Sequence, residues 1–421
     1  MEEKIKLRPR LVVIGGGAAG FFCAVNAARL NPSLEVFIIE RTSKLLSKVR
    51  VSGGGRCNVT HACYDSDEMI RRYPRGSRFL RKSFHHFFTT DTIEWFATRG
   101  VELKTEADGR MFPASNNSQS IIDCLLREAN QHRVQILMNK EVKQIVATGS
   151  QFSLKFANGI EMMADYVCLA CGGFPKESQF EWIKNLGHTI EAPVPSLFTF
   201  NMPQHPINQL MGVSVEHTTV KIQQTKLQES GPLLITHWGM SGPVILKLSA
   251  WGARELSASD YLFNISVNWL PEFNEQSLAV QFATLRFELA SQKLAVKNPF
   301  GLPARLWEYL LIHSSISNEI RWADLNIRDQ NKLIRNCCAF EAKVQGKTTF
   351  KEEFVTAGGV RLQEINHDSM MSKKLPNLYF AGEIMDVDGI TGGYNFQHAW
   401  TSGFIAAAAI AKDASNKLGE L

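Results

Sequence analysis

The stretch Leu11-Val12-Val13-Ile14-Gly15-Gly16-Gly17-Ala18-Ala19-Gly20 decides the reading of this chain. A short apolar run, mostly β-branched, ends in a glycine cluster, and helix formers follow to Leu30. Gly15, Gly17 and Gly20 fit G-x-G-x-x-G in the context that gives the pattern meaning, after a strand and at the start of a helix. Gly15 permits the tight turn, Gly17 lets a pyrophosphate approach the backbone, and Gly20 lets helix and strand pack closely. The helix start at Ala18 and Ala19 supplies free N–H groups and positive potential to phosphates. Asn31-Pro32 stops the helix, because proline cannot continue it. Glu35 to Ile39 is a second β-rich run, which completes a βαβ unit of a parallel sheet. Glu40 follows it, twenty residues after Gly20. A carboxylate there accepts from both ribose hydroxyls and repels a 2′-phosphate, so the site reads as FAD or NAD rather than NADP.

Outward from this unit, 421 residues are too many for one ordinary core and imply two or three domains. An apolar share of 44% and a charged share of 21% fit a soluble globular protein. A net charge of +5 is too modest for a dedicated nucleic-acid binder. The densest basic run, Arg71, Arg72, Arg75, Arg78, Arg81 and Lys82, reads as a solvated face, with contact to an anionic substrate or RNA as the alternative. Met1-Glu2-Glu3-Lys4 lacks a signal-peptide layout. Leu11 to Leu30 is broken by glycines, Asn26 and Arg29, unlike a membrane span of about twenty apolar residues. A soluble, cytoplasmic protein without membrane association is expected. The eight cysteines are scattered and form no disulfide framework. Cys168 and Cys171 make a C-x-x-C pattern inside an apparent buried strand, not at the helix start that would stabilise a redox thiolate. Cys337 and Cys338 read as small core residues, and no metal site is expected.

Along the chain, Ser47 to Asn58 reads as a glycine-rich loop. Asp91 to Arg99 and Ser118 to Gln131 read as helices, and Val134 to Met138, Glu141 to Ala147, Ser153 to Phe156 and Asp165 to Leu169 as strands. Prolines and β-branched alternations from Pro193 to Leu270 suggest an antiparallel β domain. Residues 271–336 are helical in texture, 337–357 return through the β domain, and 358–421 end in an Ala-rich helix over Phe404 to Asp413. The fold class expected is α/β: a doubly wound Rossmann-type FAD-binding domain from 1–192 and 358–421, with an inserted antiparallel β domain over 193–270 and a small helical domain.

Two further glycine clusters separate FAD from NAD. In Gly53-Gly54-Gly55-Arg56-Cys57-Asn58, three consecutive glycines cost chain entropy and make sense where backbone passes close to a ligand. The second cluster pairs Ala381-Gly382-Glu383 to Asp386 with Gly392-Gly393-Tyr394-Asn395-Phe396. An acid after glycine suits a ribityl chain, and a helix start suits the flavin edge where negative charge collects on reduction. An NAD enzyme needs no such late motif.

These residues, with Gly109 to Pro113, Thr236 to Pro243 and Val355 to Val360, resemble the bacterial YhiN-like or BaiN-like flavoproteins over nearly the whole chain. That family includes aminoacetone oxidases and a proposed bile-acid enone reductase. The resemblance implies FAD, a flavin domain in separated pieces and two insertions. Here Cys171 replaces a family threonine, the stretch after Pro175 is short, and His398 stands where an aromatic residue is common. The cofactor-binding set is Gly15, Gly17, Ala18, Ala19, Gly20, Glu40, Arg41, Lys48, Gly55, Arg56, Cys57, Val142, Cys171, Gly172, Gly382, Glu383, Asp386, Gly393, Tyr394, Asn395 and Phe396. Arg56, Asn58 and His237 are the catalytic candidates, each with a structural role as the alternative. The expected reaction is hydride transfer between a small-molecule substrate and flavin N5, with oxygen or NAD(P)H as second substrate. An NAD-dependent dehydrogenase and an RNA-linked or non-catalytic flavoprotein are the alternatives. An inserted domain leaving near Val167 and returning near Gly382 is expected to cover the flavin ring.

Overall fold

Arg10–Ile14 is buried along nearly its whole length, which is why it reads as an uninterrupted apolar run. It lies at the centre of a five-stranded sheet in the order Leu378–Phe380, Tyr166–Leu169, Arg10–Ile14, Glu35–Ile39, Gln135–Leu137. All four pairings are parallel. The computed structural model describes residues 8–349 and 355–419, so the N-terminal tetrapeptide and residues 350–354 of the 337–357 return lie outside the described residues. The chain divides into two compact units, one from Met1–Pro195 with Lys351–Leu421 and one from Ser196–Phe350.

In the first unit, Ala18–Leu30 opens directly after the glycine turn. Gly15 has φ +120, and its N–H donates to the Ile39 carbonyl at 2.8 Å, which ties the turn to the second strand. A Cβ on Gly20 would lie 1.9 Å from the Gly15 carbonyl oxygen, so helix and strand meet through bare backbone. An antiparallel meander, Val142–Thr148, Gln151–Phe156 and Glu161–Ala164, is carried beside the sheet; the last of its strands was not anticipated.

Two local expectations are corrected. Ser47–Gly55 is not a plain loop: helical turns come first, then Gly53 and Gly54 reverse the chain with φ +58 and +68. The final helix runs over Tyr394–Gly419, not over Phe404 to Asp413. Its first turns carry Gln397, His398, Thr401 and Ser402, which look like surface residues but are buried. Each is bonded inside: Gln397 with Thr60 and Thr92, His398 with the Gly382 carbonyl, Thr401 with the Phe87 carbonyl, and Ser402 with the His398 carbonyl. Polar composition hid the helix because long-range partners, not periodicity, make those residues internal.

The second unit is a seven-stranded sheet in the order Phe340–Gln345, Leu262–Asn268, Ser214–Ile222, Gln228–Thr236, Gly239–Ser241, Thr199–Asn201, Lys347–Thr348, and its pairings are antiparallel. The helices Glu275–Glu288, Ala304–His313 and Ile327–Cys338 share one hydrophobic core with it through Trp307, Trp322 and Trp269. Pro243–Trp251 and Ala253–Ala258 are helices inside the stretch read as β, the first begun by a proline at its opening position. No helix among the described residues is long and apolar enough to cross a membrane.

Gly20→Ala places a methyl group against backbone that cannot yield, so it should destabilise the ligand-free protein by about 2–3 kcal/mol. Gly17 has φ −95 and no atom within 4 Å of an added Cβ, so Gly17→Ala should stay within about 0.5 kcal/mol of the parent. Denaturant unfolding of both variants checks the contrast, and equal losses would refute the assigned packing.

Candidate cofactor site

The loops that follow four strands of the parallel sheet carry the candidate residues, at the edge where doubly wound folds hold ligands. Gly15 follows the central strand, Glu40 the second, Cys171 to Gly173 the strand ending at Leu169, and Gly382-Glu383 the strand ending at Phe380. A cleft of about 460 Å³ opens there, lined among others by Gly15, Glu40, Arg41, Val142, Cys171, Phe174 and Trp182. It gathers five residues read separately from sequence.

Glu40 is held by the glycine turn itself. Gly16 N–H donates to Oε2 at 2.9 Å, and the Thr42 N–H and hydroxyl both donate to Oε1 at 2.9 Å. A carboxylate has about four lone-pair positions, so these bonds fix its direction and leave acceptor capacity for ribose hydroxyls. The Arg41 guanidinium lies 5.9 Å from the Phe174 ring centroid. The absence of any atom within 4 Å of an added Cβ at Gly17 leaves open space where a pyrophosphate would approach.

Lys48 and Glu383, 335 residues apart, form an ion pair with Nζ 2.5 Å from Oε2. The other carboxylate oxygen accepts from Thr356 N–H at 2.8 Å. Gly172 and Gly173 lie against the same carboxylate, and a Cβ on Gly173 would meet Thr356 Oγ1 at 2.4 Å. The Thr356 hydroxyl is buried and has no hydrogen-bond partner among the described residues. It was missed from sequence, although it stands in Val355 to Val360, a motif that carried the family resemblance.

A third cluster joins the triple glycine to the last helix. Asn58 is buried; with its amide oriented to satisfy both neighbours, it donates to the Thr60 carbonyl at 3.0 Å and accepts from Gly393 N–H at 2.9 Å. His61 Nδ1–H donates to the Gly392 carbonyl at 3.1 Å, and the ring stacks on Tyr394 with centroids 4.8 Å apart. Burial pushes the His61 imidazole below its ordinary value. Asn395 exchanges two bonds with Gly389, both 2.9 Å, and Phe396 stacks on Trp400. Asp386 is half-buried, and its N–H donates to Val360. The first intrahelical bond runs from Gln397 N–H to Gly393. The N–H groups of Tyr394, Asn395 and Phe396 therefore precede the helical ladder.

The remaining candidates have structural partners. Arg56 pairs with Glu106 at 2.5 Å and lies 4.0 Å from the Phe112 ring centroid. Cys57 takes a left-handed φ of +62, and burial pushes its thiol up to about 12. Cys171 lies beyond the strand end and is only partly buried, unlike Cys168; its thiol is pushed up to about 12, so neither cysteine offers a thiolate near neutrality. His237 belongs to the second unit, where it is exposed on a turn and packs edge-on against Trp238.

A parallel sheet whose strand ends converge on this glycine turn defines a Rossmann-type nucleotide-binding domain. The chain belongs to the HI0933-like Rossmann-domain family, whose model matches residues 9–409. It is 30% identical over 414 residues to the 3-dehydro-bile acid delta(4,6)-reductase of Clostridium scindens, covering 96% of this chain and 99% of that one. It is likewise 30% identical over 414 residues to the ribosomal RNA dihydrouridine synthase of Escherichia coli, covering 94% and 96%. In fold it is similar to the 3-ketosteroid delta1-dehydrogenase of Sterolibacterium denitrificans, with a TM-score of 0.51, 13% identity, and 96% and 99% of the two chains covered.

Fully buried His398 titrates at about 4, because burial penalises the imidazolium. Its folded value is depressed, so its contribution is complete above about 6.5 and is lost as pH falls from there toward 4, by up to about 1.4 kcal/mol per unit. His398→Phe should make the acid-side loss of stability shallower by up to that amount. Denaturant midpoints of the ligand-free protein between those pH values test this, and an unchanged slope would place the titration elsewhere.

Proposed function

We propose that this chain binds FAD and reduces a carbon–carbon double bond conjugated to a carbonyl group. The observation that carries the cofactor half is the convergence of the Gly15 turn with Glu40 and the Gly172–Lys48–Glu383 cluster at one edge of one sheet, with the Gly393 helix start held separately by Asn58. The residues fit the group. Open backbone at Gly17 takes the pyrophosphate, Glu40 takes the adenosine ribose, and the cleft by Val142 and Cys171 takes the adenine. Lys48 holds the Glu383 carboxylate toward the ribityl chain, and the orphaned Thr356 hydroxyl beside it gains a partner. The N–H groups of Tyr394 to Phe396, free of the helical ladder, would hold the pyrimidine edge and stabilise negative charge there. Arg56 and Asn58 shape the triple-glycine loop rather than touch the reacting atoms.

The substrate half is supported by two relatives. A delta(4,6)-reductase of a 3-dehydro-bile acid and a dihydrouridine synthase share one net change, saturation of a C=C bond next to a carbonyl. FAD, if bound and reduced, would supply the hydride for this saturation, with a dihydronicotinamide as the two-electron reductant and water as the source of the proton.

Purified protein should be yellow and release FAD on denaturation. Glu40→Ala should weaken FAD binding by about 1.5–3 kcal/mol, the scale of a charge-assisted hydrogen bond, in a flavin-fluorescence titration. Unchanged affinity in a folded variant would mean that the carboxylate acts elsewhere.

Anaerobically, NAD(P)H should bleach the flavin, and an α,β-unsaturated ketone should restore its colour. Bleaching by an amine or a hydroxy acid, with no reoxidation by the enone, would reverse the assignment to an oxidase or dehydrogenase.

A further inference from the structure

Asp388 is the only carboxylate among the described residues with no solvent exposure, and the cofactor site leaves it unused. Its two oxygens accept from Nε and Nη2 of Arg75 in a bidentate ion pair. The Arg75 side chain is itself only 10% exposed, and the two residues are also bridged through their backbones. A buried ion pair is weak support for stability, because desolvation of the two charges offsets their attraction and apolar packing serves as well. Such packing is already present one residue away, where a Cβ on Gly76 would meet Val387 Cγ2 at 2.6 Å. Joining two segments is therefore not a sufficient reason for the pair.

What the pair holds is the approach to the last helix. Gly389 and Asn395 exchange two bonds of 2.9 Å, which close the turn on itself. Ile390 N–H donates to the Arg72 carbonyl at 2.9 Å, and the Tyr73 hydroxyl donates to the Tyr394 carbonyl at 2.7 Å. Asn58 accepts from Gly393 N–H, and His61 donates to the Gly392 carbonyl. Residues 72–75 and 58–61 thus both fix the turn, and the free N–H groups of Tyr394 to Phe396 are held in one direction. Asp388 lies six residues before Tyr394. An unpaired carboxylate there would oppose the positive potential of the helix start.

We propose that Arg75 is a positioning residue that neutralises Asp388, so that the helix start and not a carboxylate sets how readily bound flavin takes up electrons. The proposal rests on the reading above, in which the N–H groups of Tyr394 to Phe396 hold the pyrimidine edge. Reduction gathers negative charge at that edge. A nearby unpaired anion disfavours it, and a nearby unpaired cation favours it. Loss of either partner therefore changes the relative affinity for reduced and oxidised FAD, in opposite directions.

The test measures the flavin midpoint potential of the FAD-loaded protein by anaerobic titration against a reference dye, in wild type, R75Q, D388N and R75Q/D388N. R75Q should weaken reduced FAD relative to oxidised FAD by at least about tenfold, which lowers the potential by about 30 mV for a two-electron couple. D388N should shift the ratio about threefold the other way, because the freed guanidinium can turn toward water. The double variant, with neither charge, should lie between the two. A tether without an electrostatic role would leave the potential unmoved or move both single variants the same way, and either result overturns the proposal. Should one single variant lose FAD, the sign of the other's shift decides. Should both lose it, FAD binding restored in the double variant supports charge balance, and loss in all three overturns it. Wild-type protein that binds no FAD would instead sink the cofactor reading itself.

Discussion

Bare backbone contact at the start of the first helix is the constraint on which the first unit depends. Three glycines from distant segments make it possible. A Cβ on Gly20 would meet the Gly15 carbonyl oxygen at 1.9 Å, one on Gly382 would meet the Ala19 methyl at 2.7 Å, and one on Gly403 would meet the Ala19 carbonyl oxygen at 2.8 Å. The turn, the last strand's loop and the last helix are thus pressed onto one helical turn. That contact aims the first-turn N–H groups past the strand ends, where an anionic group gains most from them.

Charge is arranged around the same edge with attention to what stays available. Glu40 and Glu383 are each held by protein donors on both carboxylate oxygens. Held this way they are directed acceptors, and hydroxyls of a sugar or ribityl chain can add to them without moving them. The cysteines contribute differently. Burial pushes the Cys57 and Cys171 thiols up, so they act as small packing groups.

Much of this was legible in the chain. The βαβ unit, the glycine roles and Glu40 follow from local rules: an apolar run, a permissive φ at Gly15, a proline stop at Pro32, and a spacing that puts the carboxylate at the next strand's end. The late Gly382–Glu383 and Gly392–Gly393 motifs were visible for the same reason, since glycine next to acid or helix start is a local signal. The helix over Tyr394–Gly419 was only half visible, because Gln397, His398, Thr401 and Ser402 resemble surface residues until their partners are known.

What the sequence alone determined is therefore local: a glycine turn after an apolar strand, an acid at the end of the next strand and two late glycine clusters, each encoded within a few neighbouring residues. What only the tertiary structure decided is who meets whom. Lys48 finds Glu383, Arg56 finds Glu106 and Phe112, Asn58 bridges to Gly393, and the Thr356 hydroxyl is left without a partner among the described residues. Such pairings join residues tens to hundreds of positions apart. They are set by burial and by the need to satisfy polar groups away from water, which no local pattern carries.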